Sequence, residues 1–158
     1  MNPPYVAVVG AGIAGPATFA VAVEVGRLLA ERGAIVVCGG STGVMEGVCK
    51  GAKDAGGTTV GILPGFRRSE ANEYVDIAIP TGMGEMRNAL VVRAADVVIA
   101  VEGEYGTLSE TALALKTGTP VVGLGAWELH KGGAKVEAFV ETTTPQEAVE
   151  AAERLWNS

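Results

Sequence analysis

Hydrophobic positions along the chain switch repeatedly between two periods. Tyr5 to Val9 is a short, continuous, β-branched run that ends in Gly10. From Ala17 the spacing becomes helical. Phe19, Ala22, Val23, Gly26, Leu29 and Ala30 share one face, Glu24, Arg27, Glu31 and Arg32 fall off it, and Gly33 supplies the stop. Ala34 to Cys38 reads as a second strand. Gly43 to about Ala55 reads as a helix with Val44, Val48, Ala52 and Ala55 inward, ended by Gly56-Gly57. Thr58 to Leu63 is a third strand closed by Pro64-Gly65, followed by a polar loop from Phe66 to Tyr74 and a short strand from Val75 to Ile79. Met83 to about Ala95 reads as a helix, Asp96 to Val101 as a strongly apolar strand, Thr107 to Lys116 as a helix, and Pro120 to Leu124 as a strand. Gly125 to Ala134 is a loop holding Trp127 and His130, and Val136 to Val140 reads as an edge strand. Thr144-Pro145-Gln146-Glu147 is a capping box that opens a last helix, with Ala148, Ala152 and Leu155 on its inner face.

Strands separated by helices of this length imply βαβ units and a parallel sheet. The uninterrupted run Val97-Val98-Ile99-Ala100-Val101 suits a strand covered on both faces. The expected fold is α/β: a Rossmann-like, doubly wound three-layer sandwich with a mostly parallel sheet of about six or seven strands. Residues 1–158 are expected to form a single nucleotide-binding domain.

Composition narrows the function. The 158 residues are 48% hydrophobic with a formal charge of −6, which argues against a disordered chain and against a nucleic-acid partner. No apolar run approaches the roughly 18 residues of a membrane span, and no basic leader precedes the first strand, so a cytoplasmic protein with no membrane partner is expected. Cys38 and Cys49 lack CxxC spacing and read as two small buried hydrophobes in a reducing compartment. His130 reads as solvated. One histidine with two cysteines far apart in sequence makes no metal site.

The 23 glycines are concentrated. Gly10-Ala11-Gly12-Ile13-Ala14-Gly15, Gly39-Gly40-Ser41-Thr42-Gly43 and Gly103-Glu104-Tyr105-Gly106-Thr107 each follow a predicted strand and open a helix. In a parallel sheet all three reach the carboxyl edge, where unpaired helix N–H groups attract anions. They imply a nucleotide-like or phosphate-bearing small molecule. The first cluster spells GxGxxG, but the second strand ends at Cys38-Gly39-Gly40 and offers no acidic residue for a ribose, so a dinucleotide dehydrogenase is set aside.

Two further segments carry chemistry: Thr81-Gly82-Met83-Gly84-Glu85-Met86-Arg87-Asn88, and Gly103 through Glu110. With Gly39-Gly40-Ser41-Thr42-Gly43-Val44-Met45 they resemble the Lonely Guy family, long labelled lysine-decarboxylase-like, of the SLOG Rossmann superfamily. The resemblance spans about Val6 to Leu124. Arg87-Asn88 followed by Leu90-Val91-Val92-Arg93-Ala94-Ala95-Asp96 is similar to a bacterial branch that includes molybdenum-cofactor carrier-like proteins. The resemblance implies that Arg87 and Glu110 hydrolyse the N-glycosidic bond of a nucleoside 5′-monophosphate, releasing base and ribose 5-phosphate. The alternative is a non-catalytic carrier for a molybdopterin-like or nucleotide-like ligand, with no cofactor required. Ligand contacts are expected from Gly10 and Gly12, from Gly39, Gly40, Ser41, Gly43 and Met45, from Gly82, Met83 and Asn88, and from Gly103, Glu104, Tyr105, Gly106 and Thr107. A homodimer is implied too, in keeping with the apolar run Leu90-Val91-Val92.

Other readings of the same residues stand beside these. Thr107-Leu108-Ser109-Glu110 has capping-box spacing, so Glu110 could serve only a helix start. Arg87 could be a solvated charge or the partner of Glu85 or Glu102. The family loop has Pro or Gly and then Gly-Gly, whereas Glu102 and Glu104 flank Gly103 here, which sets two carboxylates beside an anion cradle. No lysine sits in the buried setting that a Schiff-base decarboxylase needs.

Overall fold

The computed structural model describes residues 2–158. Its main sheet has seven strands, all parallel: β1 (Tyr5–Gly10), β2 (Ile35–Cys38), β3 (Thr59–Leu63), β4 (Ile77–Pro80), β5 (Val97–Val101), β6 (Val121–Leu124) and β9 (Val140–Thr142). The spatial order is β4-β3-β2-β1-β5-β6-β9. A separate antiparallel pair, β7 (His130–Lys131) and β8 (Ala134–Lys135), lies inside the segment read as a loop. The helices are α1 (Pro16–Glu31), α2 (Val44–Asp54), α3 (Asn88–Arg93), α4 (Tyr105–Thr117) and α5 (Pro145–Trp156).

Strand alternation divides the core in two. Val6, Val8, Val97, Ile99 and Val101 face the layer built from α1, α2 and α5. Ala7, Val9, Val98 and Ala100 face the layer built from α3 and α4. Every residue of β5 is buried, which is why its sequence shows no polar alternation. Three layers with a parallel sheet are therefore the doubly wound fold that the sequence predicts.

The path of the chain sets the site. From β1 it moves outward through α1 and β2, then α2 and β3, to the edge strand β4. Helix α3 then carries it back to β5, on the other side of β1. Neighbouring strands β1 and β5 thus send their connections to opposite faces, and the carboxyl ends of this pair open a crevice.

Several local readings shift. The helix expected from Met83 to Ala95 is a 3-10 turn at Gly84–Arg87 followed by α3, because the Gly82 and Gly84 N–H groups are tied to the Gly65 and Pro64 carbonyls at 2.8 and 2.9 Å. The last strand lies later than Val136 to Val140. Val140 pairs with Val122 in register, and the Thr142 hydroxyl donates to the Gly123 carbonyl at 2.8 Å. Val91 and Val92 are both wholly buried in their own protomer's core, so of the run Leu90-Val91-Val92 only Leu90 faces outward. Part of the glycine excess serves packing: a Cβ on Gly26 or Gly51 would collide with a backbone carbonyl of the facing helix, so α1 and α2 meet only because both lack one.

Candidate functional site

Around the β1/β5 crevice lies an open cavity of about 960 Å³. Its walls come from the β1–α1 loop, the end of β2, the first turn of α2, the segment before α3, and the first turns of α4. Of the sequence-expected residues, Gly10, Gly12, Gly39, Met45 and Asn88 line it, as do Glu104, Tyr105, Gly106 and Thr107. Arg87 and Glu110 line it together.

Other expected residues stand outside the cavity wall. The carbonyl oxygens of Gly40 and Ser41 accept from Asn72, which ties the β2–α2 loop to the segment before β4. Gly43 is the residue before α2. Gly82 is held against Gly65, with the Phe66 ring over it, and Met83 caps the 3-10 turn. Gly103 lies in the turn between β5 and α4.

That turn explains the geometry of α4. Glu102 has φ +48° and Gly103 φ +102°, two successive left-handed residues that swing the chain from β5 straight into a helix beginning at Tyr105. Glu102 is the one non-glycine residue with positive φ among the described residues. At Gly103 any Cβ would overlap the Thr107 side chain. The helix therefore starts two residues earlier than predicted, with no side chain capping it. Its first intrahelical bond runs from the Leu108 N–H to the Glu104 carbonyl at 3.0 Å, so the N–H groups of Tyr105, Gly106 and Thr107 precede the helical ladder. Two consequences follow. The capping-box reading of Thr107 and Glu110 fails, because Thr107 is the third residue of the helix and Glu104 precedes its start. The uncapped first turn of α4 stands at the cavity wall, a setting that favours negative charge.

The two flanking carboxylates diverge. Glu102 accepts a hydrogen bond from the Thr18 hydroxyl on α1 at 2.8 Å and does not line the cavity. Glu104 does. Only one of the two acids departing from the family pattern therefore bears on a ligand.

Glu110 is buried to 8% exposure one turn further along α4. Desolvation pushes its carboxyl up to about 7, and the positive charge of Arg87 pulls against that rise without cancelling it. Near neutral pH it can hold or release a proton, the range suited to general acid–base work.

Arg87 pairs with neither Glu85 nor Glu102. Its Nη1 donates to Asn88 Oδ1, while Nε is buried with no protein acceptor. The guanidinium lies on the bare backbone of Gly39, where a Cβ would come within 2.6 Å of Nη2 and 2.7 Å of Met45 Sδ. Asn88 Nδ2 reaches Ser109 Oγ at 3.5 Å, and Ser109 Oγ donates to the Gly106 carbonyl at 2.6 Å. This chain links the arginine to the first turn of α4. Ser109, Ile13, Glu85 and Met86 also line the cavity and were missed in the sequence. Ile13 had a signal: an apolar residue among glycines at a predicted ligand edge.

Beneath Gly39 the two cysteines, distant in sequence, meet. Cys38 Sγ and Cys49 Sγ are 3.4 Å apart, and the Gly40 N–H points at the Cys38 sulfur at 3.3 Å. Receiving the Cys49 thiol and that N–H holds the Cys38 thiol below its ordinary value. Donation to Cys38, together with burial, drives Cys49 upward.

Fold and site together define a Rossmann-like domain with a cavity and an uncapped helix start at its switch point. The chain belongs to the SLOG cluster4 family, whose sequence model matches residues 3–153. It is similar to the molybdenum cofactor binding protein of the phototrophic bacterium Rippkaea orientalis, at 36% identity and a TM-score of 0.88 over 98% of both chains. It is also similar to the molybdenum cofactor carrier protein MCP of Chlamydomonas reinhardtii, at 33% identity and a TM-score of 0.84 over 99% of this chain and 100% of that one. A cytokinin riboside 5′-monophosphate phosphoribohydrolase, LOG, from Oryza sativa subsp. japonica is 41% identical over 93 residues, which span 56% of this chain and 38% of the rice protein.

Proposed function

We propose that the protein binds a phosphate-bearing small molecule with a planar heterocycle, in the manner of a molybdopterin-like or nucleotide carrier. The uncapped start of α4 carries the reading: Tyr105, Gly106 and Thr107, whose N–H groups precede the helical ladder, line one cavity with Arg87, whose buried Nε lacks a protein acceptor. The residues also suit a pterin, because Glu104 in the same wall offers an acceptor for the N–H edge of a pterin or guanine. The end-to-end likeness to molybdenum cofactor binding proteins favours holding the ligand over cleaving it.

Calorimetry on phosphorylated and dephosphorylated forms of the same ligands tests this. Removing the phosphate is expected to weaken binding at least tenfold, and Glu104→Gln is expected to weaken pterins and guanine nucleotides but not AMP. Equal affinity with and without phosphate would remove the reading.

A second reading rests on the Arg87–Glu110 pair. It makes the protein a nucleoside 5′-monophosphate phosphoribohydrolase, with the carboxyl of Glu110 supporting an oxocarbenium-like transition state. Release of free base from AMP, abolished in Glu110→Ala, would establish it. No release by the parent protein leaves the carrier reading alone.

We also assign residues 1–158 to one ligand-binding domain, a homodimer located in the cytoplasm. No described helix is long and apolar enough to cross a membrane, and a reducing compartment would keep the adjacent thiols free. The apolar surface for a second copy is not the run Leu90-Val91-Val92. Ile77 and Ile79 of edge strand β4 are about half exposed on the sheet face that α3 and α4 cover elsewhere, and Leu90, Met83, Met86 and Phe66 are exposed too. Light scattering at micromolar concentration is expected to give twice the chain mass of 16.0 kDa.

A further inference from the structure

We infer that Ile13 and Tyr105 form an apolar clamp for the planar fused ring of the ligand, with Trp127 acting as a positioning residue behind Tyr105. The inference rests on the phosphate-anchored reading above and adds to it the element that selects the ligand class.

Ile13 is 93% exposed and Tyr105 77% exposed. A lone exposed apolar side chain needs no explanation. These two line the same cavity, one on the β1–α1 loop and the other at the first residue of α4. β1 and β5 are paired neighbours, so the two loops rise side by side. The hydrogen-bonding groups of the cavity include Arg87, Glu104 and Glu110, with the N–H groups of Tyr105, Gly106 and Thr107 at the open helix start. The cavity thus has polar elements for a charged end and exposed apolar side chains, Ile13 and Tyr105 among them, for a flat face.

Tyr105 does not stand alone. Its ring centroid is 5.8 Å from that of Trp127, with the planes tilted by 35°. Trp127 is not part of the large cavity. It borders a separate small hollow of about 130 Å³ with Phe139 and Thr142. Such tilted pairs are favourable and restrict both rings. In a chain with only 5% aromatic residues, a tryptophan brought from the 125–134 loop to brace an exposed tyrosine fits a role in presenting that ring. A purine or pterin offers a broad π face to such a surface; a bare phosphosugar offers none.

The test compares AMP, GMP, neopterin monophosphate and ribose 5-phosphate by calorimetry on the full chain. The readout is the ratio of the ribose 5-phosphate Kd to that of the best ring-bearing probe. In the parent protein this ratio is expected to be about tenfold or more, the range of one stacked ring. Tyr105→Ala and Ile13→Ala, both surface changes that leave the core untouched, should collapse it towards one. Tyr105→Phe should restore it, and Trp127→Ala should reduce it part of the way. A parent ratio near one, or a full ratio in Tyr105→Ala, overturns the clamp while ribose 5-phosphate binding upholds the phosphate-anchored reading. No binding by any of the four probes overturns both.

Discussion

Helices α4 and α5 carry similar letters near their starts, and the two starts do opposite things. Thr107-Leu108-Ser109-Glu110 and Thr144-Pro145-Gln146-Glu147 both fit a capping box. At α5 the motif closes. Thr144 Oγ1 accepts from the Glu147 N–H at 3.2 Å, and the Glu147 carboxylate accepts from the N–H and hydroxyl of Thr143 at 3.0 and 3.1 Å. At α4 the helix has already begun, Thr107 is buried, and Glu110 lies buried at the cavity wall with Arg87. A motif that satisfies its own helix end is structural. A helix end left open above a cavity, with the motif displaced inward, is available to a ligand.

The largest effect expected from this contrast is at Glu110. Its folded carboxyl titrates near 7, whereas an unfolded glutamate titrates near 4.5. Between those values the native state binds the proton more tightly. Stability is therefore greatest below about pH 4.5, falls as pH rises through 7, and then levels off. The loss amounts to about 3 kcal/mol. Glu110→Gln removes the slope, so the variant should match the parent near pH 4 and exceed it by about that amount at pH 8 in urea unfolding. If parent and variant show the same pH dependence, Glu110 is a solvated capping residue after all and the contrast with α5 disappears.

At α5 the expected effect is smaller and of opposite meaning. Thr144→Ala removes a satisfied cap and should cost about 1 kcal/mol, or roughly 2–4 °C in Tm for a chain of this size. The affinity for phosphate-bearing probes should not change, since α5 packs on the face away from α4. A change in ligand affinity in Thr144→Ala would mean that the two helix starts are coupled, and the separation into a structural and a functional end would fail.

The same contrast shows what the sequence could carry. The layers and the parallel sheet were readable because β5 is apolar at every position and α1 keeps its period over four turns. Glycine clusters after strands located the edge that binds. The start of α4 was not readable, because it depends on Glu102 adopting a left-handed backbone, and glutamate carries no local preference for that conformation. The direction of Glu102 depended on Thr18, 84 residues away. Likewise the nearness of Cys38 and Cys49 follows from packing α2 on β2, which no spacing rule encodes. In the run Leu90-Val91-Val92, three apolar residues in a row read as an interface. A six-residue helix buried two of them at its own core, and the exposed surface moved to β4.

The smallest expected effect is at Glu147, and it sharpens the comparison from the acid side. The backbone N–H and hydroxyl of Thr143 hold this carboxyl below its ordinary value, the reverse of Glu110. A depressed pKa gives a stabilising contribution that is complete above the unfolded value near 4.5 and fades as pH falls through the lower folded value. Glu147→Gln should therefore narrow the stability difference between pH 6 and pH 3 slightly, with no effect between pH 6 and pH 8. Glu110→Gln acts in the neutral window instead. Combined, the two changes should add, because they lie on opposite faces of the sheet and share no partner. Unfolding curves of the two single variants and the double variant, taken at pH 3, 5 and 8, separate the contributions. A neutral-range effect from Glu147→Gln would show that its carboxylate senses the site, and α5 could then no longer serve as the purely structural member of the pair.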